Sequence, residues 1–392
     1  MSAVHVRTRT AVAALTVTVI ALSAGTAHAD ARWSAADLSG VGDAALTGVT
    51  RVDADTTWAY GVQVSQEGKV QPRTPLLLAR DDDEKAWHQI PMPAFADRSN
   101  QISEISAVSQ DDAWAVGLYE EKRGAFLTQH WDGSAWQVIG APAPAGKRLS
   151  GAGLLDVSAR ASDDVWAVGW LIVVDSEEPD PDKPGGTIQQ THAEALVEHW
   201  DGKAWHIVPV PDATSLWTNS VTALADDDVW VSGYTSEDRP VMLHYDGASW
   251  SRVPVPYDGV NGELIDLEAR GAHDIWAAGR KLNDDADTGH ALLAHWNGRS
   301  WQQVPAPAGT GRVNDLALAP KGVAITGEQT DGTPYVMRLR DGRWSKLSVP
   351  SDSAGAGRHL TGVAWTPHGV TAVGYEEGAM GLPSPLLLTG GN

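Results

Sequence analysis

A seven-residue segment that recurs along the chain constrains the fold more than any other feature. Asp111-Asp112-Ala113-Trp114-Ala115-Val116-Gly117 returns as Asp163-Asp164-Val165-Trp166-Ala167-Val168-Gly169 and as Asp227-Asp228-Val229-Trp230-Val231-Ser232-Gly233. It returns again as His273-Asp274-Ile275-Trp276-Ala277-Ala278-Gly279, and in shorter form as Thr57-Trp58-Ala59-Tyr60-Gly61. Two weaker copies end at Gly327 and Gly374, with Ala324 and Thr371 in place of Trp. The closing glycines are 56, 52, 64, 46, 48 and 47 residues apart, so the chain holds seven units. A unit of this length is one supersecondary structure that buries its apolar faces only against its neighbours.

A second signature lies between these segments. His130-Trp131-Asp132-Gly133-Ser134-Ala135-Trp136 has counterparts running from His199 to Trp205, His244 to Trp250 and His295 to Trp301, with degenerate forms ending at Trp87 and Trp344. Asp-Gly or Asn-Gly between apolar runs marks a tight β-hairpin, because its central residues need positive φ. The strand that follows ends in proline, as at Val208-Pro209-Val210-Pro211, which suits an edge strand where no ladder donor is required. Each unit therefore reads as four strands: a short apolar strand a, the Trp-to-Gly strand b, strand c running into the His-Trp pair, and strand d after the turn.

Seven such units predict an all-β chain folded as a seven-bladed β-propeller of four-stranded antiparallel blades. The last unit has a strand c, Ser384-Pro385-Leu386-Leu387-Leu388, but no strand d, whereas Ala31-Arg32-Trp33-Ser34 supplies an unmatched strand at the other end. The N-terminal strand is thus expected to close the last blade. A β-solenoid or a pair of sandwiches is the alternative; a solenoid usually has shorter repeats and a continuous apolar ladder.

The first 29 residues read as a secretory signal peptide: Arg7 and Arg9, an apolar run from Ala11 to Gly25, then Ala27-His28-Ala29 as a cleavage site. The domains expected are 1–29, removed on export, and 30–392, a single propeller. No later stretch is apolar enough to span a membrane. The composition, rich in Ala, Gly and Asp and poor in Lys, points to a GC-rich bacterial source. With 29 Lys and Arg against 50 Asp and Glu, the formal charge is −21, which argues against nucleic acid as a partner. The absence of Cys excludes disulfide scaffolds, thiolate metal sites and cysteine nucleophiles.

At the two signatures the chain resembles a group of secreted bacterial β-propeller repeats, over nearly all of the chain from Trp33 onward. The His-Trp-Asp-Gly hairpin is also similar to the Asp-box of sialidase-type propellers, which occupies the same c–d turn. It departs from that box by one residue, since Asp132 directly precedes Gly133, and it lacks the leading Ser. The Gly-His and Trp-Asp marks of WD40 repeats and the double Gly of kelch repeats are not reproduced. The resemblance implies an architecture and a secreted, extracellular location rather than an activity.

Fifteen of the 18 Trp fall at repeat positions, which assigns them to packing between blades. Each buried indole removes on the order of 200 Å² from water, worth about 5 kcal/mol as an upper bound. Trp170, Trp217 and Trp365 break the pattern and become candidates for ligand contact. His130, His199, His244 and His295 sit one per blade, too far apart to converge on a metal ion, and are expected to bond the hairpin or the aspartate turn. Asp111, Asp163 and Asp227 are expected to accept backbone N–H groups in turns. The segment from Val173 to Thr191 reads as a mobile acidic loop, and Asn283 to Gly289 as an imperfect calcium loop. No metal and no cofactor is expected.

The residue after each closing glycine should point to the channel mouth shared by the b–c and d–a connections. That ring is Val62, Leu118, Trp170, Tyr234, Arg280, Glu328 and Tyr375, with Trp217, Tyr257, His290 and His359 from nearby loops. Aromatic faces and charged groups on one ring suit a glycan or peptide. The expected ligand-binding residues are Trp170, Tyr234, Arg280, Glu328, Tyr375 and Trp217, in a monomeric binding module for an environmental or cell-surface glycan or a secreted protein. The alternative is an extracellular glycoside hydrolase or polysaccharide lyase. Glu328 is the only acid in that ring, however, and a glycosidase needs two carboxylates.

Overall fold

The computed structural model describes residues 33–65, 73–81, 86–93, 100–119, 126–183, 185–282, 290–350, 357–366, 369–378 and 381–390. The expected signal peptide, residues 1–29, and the calcium-loop candidate, Asn283 to Gly289, lie outside the described residues. The described chain forms seven four-stranded antiparallel sheets, each in the simple order a-b-c-d. Blade 2 shows the pattern: Asn100–Ser109, Asp112–Tyr119, Phe126–Trp131 and Trp136–Val138, from the channel outward. Blade 7 takes its outermost strand from the N-terminus, Ser34 pairing with Thr389 and Ala35 with Leu388. The seven-bladed propeller is therefore the observed architecture, closed as the terminal strands imply, and the solenoid and sandwich alternatives fall away.

The indoles join each blade to the next. Strand-b Trp58 meets Trp131 and Trp136 of blade 2 at ring-centre distances of 6.1 and 5.9 Å. Trp114 meets Trp200 and Trp205 at 4.8 and 5.2 Å, and Trp230 meets Trp296 and Trp301 at 4.9 and 5.9 Å. Trp166 packs in the same way on Tyr245 and Trp250. Each inserts between the two rings that flank the next blade's Asp-Gly turn, and the apolar clusters accordingly span adjacent blades.

The repeated histidines stack on these same indoles and bond aspartate. His130 lies 2.9 Å from Asp112, His199 2.8 Å from Asp164, His244 2.9 Å from Asp228 and His295 2.8 Å from Asp274. Asp164, Asp228 and Asp274 also accept the Trp166, Trp230 and Trp276 indole N–H. The second aspartate of each pair therefore does this bonding. Asp111, Asp163 and Asp227 instead lie against Gly133, Gly202 and Gly247 of the c–d turns. The turn-capping expected of them belongs to Asp132, Asp201 and Asp246. Asp132 accepts the N–H groups of Ser134 and Ala135, both at 2.9 Å, because the Asp-Gly turn aims them at its carboxylate.

A β-bulge interrupts every innermost strand at the same place, leaving one residue per blade out of the ladder: Thr47, Ser103, Leu155, Asn219, Ile265, Asn314 and Thr361. The freed backbone groups are bonded by the neighbouring blade. Asp156 accepts the N–H of Val221 (2.8 Å), Ser220 that of Leu267 (3.0 Å), Asp266 that of Leu316 (2.7 Å) and Asp315 that of Val363 (2.6 Å). In the same direction, Asn219, Asn314 and Thr361 donate to the carbonyls of Leu264, Leu360 and Leu46 in the following blade. In blade 1 the ring position is Gly48, and the Tyr60 phenol occupies the space and donates to Glu104.

The segment from Val173 to Thr191 is not an irregular loop. Strands Asp164–Pro179 and Thr187–Trp200 form one long hairpin whose pairing runs out to Pro179 opposite Thr187. The run Leu171-Ile172-Val173-Val174 has strong strand preference, and Glu177 bonds Thr187 and Gln189 across the hairpin, so the acids decorate a sheet.

Two sets of buried acids give the fold an unusual pH response. Glu198 is fully buried between blades 2 and 3 with no hydrogen-bond partner among the described residues, and burial pushes its carboxyl up to about 8. Burial also raises Glu104 to about 8 and Asp156 to about 7 in the channel wall. Such groups keep their protons in the native state while the unfolded chain loses them above about pH 4. Their stabilising contribution is complete below that pH and is lost as the pH rises toward 8. Thermal unfolding of Glu198→Gln should match the parent at pH 5 and exceed it by several degrees at pH 9; equal melting temperatures at pH 9 would refute the assignment.

Candidate functional site

The ring at the channel mouth is built by strand pairing. Each closing glycine lies so near strand a that a methyl group there would collide with a backbone carbonyl, that of Trp217 in the case of Gly233. This close approach fixes the register, and the residue after each glycine then pairs with a strand-a residue at the mouth. The pairs are Val62 with Ala45, Leu118 with Gln101, Trp170 with Gly153, Tyr234 with Trp217, Arg280 with Glu263 and Tyr375 with His359. In blade 6 the Glu328 N–H bonds the Arg312 carbonyl.

Five consecutive blades carry the chemistry. Trp170 and Trp217 lie 5.7 Å apart, and Trp217 stacks on Tyr234 at 6.1 Å with planes 6° from parallel. Trp217 and Tyr234 of blade 4 form a stacked platform, against which Trp170 of blade 3 is tilted by 49°, and all three rings are half-buried. Gly153, opposite Trp170, leaves room for Leu118 of blade 2, which a side chain there would strike. Beside the platform, Arg280 Nε donates to Glu263 Oε1 at 2.6 Å. In blade 6, Glu328 accepts from Arg312 at 2.9 Å and lies 2.9 Å from His359 Nδ1. His359 in turn stacks on Tyr375 at 4.8 Å. Burial raises the Tyr234 hydroxyl pKa, with Glu263 adding to the effect.

All six expected ligand residues therefore stand on one rim, although none of the charges is free. Glu263, on strand a of blade 5, and Arg312, just before strand a of blade 6, are not marked by the repeat motifs, because their register depends on the glycine contact. Two other candidates lie elsewhere. Tyr257 is 4% exposed and packs with Trp230 and Leu264 between blades 4 and 5, because a large apolar ring on the d–a connection is drawn into the blade interface. Trp365 lies at the opposite end of the channel, packed among Ala317, Ala324 and Val363.

Below the rim the channel encloses about 320 Å³, lined by Tyr60, Glu104, Asp156, Asp266, Glu268 and Asp315 together with backbone of all seven innermost strands. All five carboxyls are raised by burial; a neighbouring carboxylate adds to this for Glu104, Asp156, Glu268 and Asp315, whereas hydrogen bonds from Ser220 to Asp156 and from Asp315 and the Leu316 and Leu267 N–H groups to Asp266 oppose it. Among the described residues no three His, Asp or Glu side chains are placed to hold a metal ion. Asp156, Asp266 and Asp315 are already bonded to backbone N–H groups, so the channel wall is mainly a clamp between blades.

Comparison with family models and with curated proteins gave no match. Among solved structures the chain is similar to YCF48 bound to a D1 peptide, at 13% identity over 94% of this chain and 98% of that one, with a TM-score of 0.53. It is also similar to the SapL1 lectin in complex with alpha methyl fucoside, at 10% identity over 70% and 92%, with a TM-score of 0.41. The likeness is one of fold. The likeness to YCF48 accords with the propeller architecture and says nothing about which residues of this chain touch a ligand.

Replacing Gly233 with Ala tests the origin of the ring. The added methyl must push Trp217 away from Tyr234, at a cost of about 2–3 kcal/mol. Chemical unfolding should show this loss, and the near-ultraviolet circular dichroism of the stacked rings should change. Unchanged stability would mean that the glycine does not set the register.

Proposed function

We propose that this protein is a secreted binding module that holds a glycan or a peptide on the rim formed by blades 3 to 7. The observation that carries this reading is the row of cross-strand pairs in which packing rules are relaxed. Trp170, Trp217 and Tyr234 offer flat apolar area. The Arg280–Glu263 pair and the Arg312–Glu328–His359 group offer donors and acceptors already held in place. Aromatic area with pre-oriented polar groups is the usual make-up of a small-ligand or peptide site. The peptide carried by YCF48, a propeller of similar fold, is in keeping with this use of the architecture. The N-terminal 29 residues support export, followed by a mature chain that begins at Asp30.

A hydrolase reading gains a second acid in Glu263. Both acids, however, are engaged by guanidinium groups, an arrangement that fixes charge in place and leaves neither positioned to deliver a proton. Binding is therefore the better-supported role.

The test is a glycan array and a pull-down from secreted and cell-wall fractions, using the exported protein, whose N-terminus should be Asp30 by mass. A Trp170→Ala/Tyr234→Ala double variant should bind its ligand at least about tenfold more weakly with an unchanged melting temperature. Absence of binding to every glycan and fraction would overturn the reading. Polysaccharide turnover abolished by Glu328→Gln would replace it with the hydrolase.

A further inference from the structure

Blade 6 abandons the unit that blades 2 to 5 share. The bridging Asp, the strand-b Trp and the strand-c His are replaced by Gly322, Ala324 and Arg338, with Arg338 directly opposite Ala324 in the ladder. The lost volume is partly refilled from blade 7. Trp365 stands on strand a where blades 2 to 5 have Ala107, Ala159, Ala223 and Ala269. The refilling is incomplete. A cavity of about 190 Å³ remains, lined by Ala319, Pro320, Lys321, Arg338, Arg340 and Trp365. It lies at the a–b turn end of the molecule, opposite the rim described above.

The charge at this cavity runs against the rest of the chain. The a–b turns of blades 1 to 4 carry Asp53, Asp55, Asp111, Asp163, Asp226 and Asp227, whereas blade 6 has Pro320-Lys321. Acids outnumber bases by 50 to 29, and Arg270, Arg280, Arg312 and Arg358 are each paired with a carboxylate. Arg338 and Lys321 have no carboxylate within ion-pair distance among the described residues, and Arg340 has only Asp341 at 3.8 Å. The Arg338 guanidinium lies 5.8 Å from the Trp365 ring centre, and its Nε is buried without an acceptor. A buried donor on a cation, beside an unfilled cavity with an indole wall, lacks an anion.

We propose that this cavity is a second ligand site, which takes a small organic carboxylate. Its carboxylate meets Arg338, Arg340 and Lys321, and its ring or apolar body lies against Trp365. The cavity admits one six-membered ring with its acid group, in the manner of a benzoate or a uronic acid. Guanidinium and carboxylate are matched in geometry, and the indole accounts for a body beyond the charge alone.

Isothermal titration of the full chain with benzoate and glucuronate, and with the neutral benzamide and glucose, tests this. At least one carboxylate should titrate, and its neutral counterpart should not. Lys321→Met, an exposed position that leaves the fold intact, and Arg338→Met should each weaken binding about tenfold, the scale of a lost charge-assisted bond. Arg299→Gln, which removes an exposed cation elsewhere that has no ion pair among the described residues, should leave the affinity unchanged. The proposal is overturned if neither carboxylate titrates, if the neutral partners bind equally, or if both variants bind like the parent. It is also overturned if inorganic sulfate binds as tightly as the carboxylates, since that would leave the indole without a role.

Discussion

Seven sheets that share no backbone ladder have to be held in a ring by contacts between side chain and backbone. The bulge repeated in each innermost strand makes those contacts. It leaves backbone groups unpaired at one level of the channel, and the preceding blade supplies the partner through Asp156, Ser220, Asp266 and Asp315 for the N–H groups and Asn219, Asn314 and Thr361 for the carbonyls. The hydrogen bonds are directional, so they set the rotation between blades as well as their spacing. The inserted indoles then fill the wedge that this rotation opens farther out, where neighbouring blades diverge. Clamp and wedge act at different radii, and both are needed for a closed ring.

This division of labour leaves the rim free. Once glycine contact and clamp have fixed the register, the residue just beyond each closing glycine is positioned accurately whatever its identity. Val62 and Leu118 keep apolar character in blades 1 and 2, while blades 3 to 7 place aromatic and charged groups at the same point. The long hairpin of blade 3 rises next to the Trp170 end of this row. His192 in it bonds Asp175 and Glu194 within the hairpin, and Glu194 in turn pairs with Lys147 and bridges to Thr214, which ties the hairpin to the d–a connections on either side of blade 3.

The repeat motifs made the blades, the closing strand and the rim legible in advance, because each is set by residues close in sequence: an Asp-Gly turn, a Trp three residues before a Gly, a proline at an edge. What escaped depends on register between segments. Asp156 sits in a short apolar run, and read by itself Leu154-Leu155-Asp156-Val157 gives no sign of a bulge. Alignment of all seven strands would have shown Glu104, Asp156, Ser220, Asp266 and Asp315 at a single position. Glu263 and Arg312 were hidden for the same reason. The acids of the hairpin suggest a loop while its β-branched residues favour a strand, and in a two-stranded ribbon open to water both are satisfied. Trp365 broke the repeat and so looked functional, but its indole first replaces the one missing at Ala324.

The closing strand has a consequence for the order of events in folding. The strand of Ser34 and Ala35 is the first of the described strands, yet it pairs with Thr389 and Leu388 of the last. Blade 7 cannot be completed until nearly every residue is available, and the longest-range pairing in the molecule is the one that seals it. A chain emerging N-terminus first therefore holds an unfinished ring with two exposed edges for the whole of its passage. Such a molecule would be slow to commit to its compact form and quick once both ends are present.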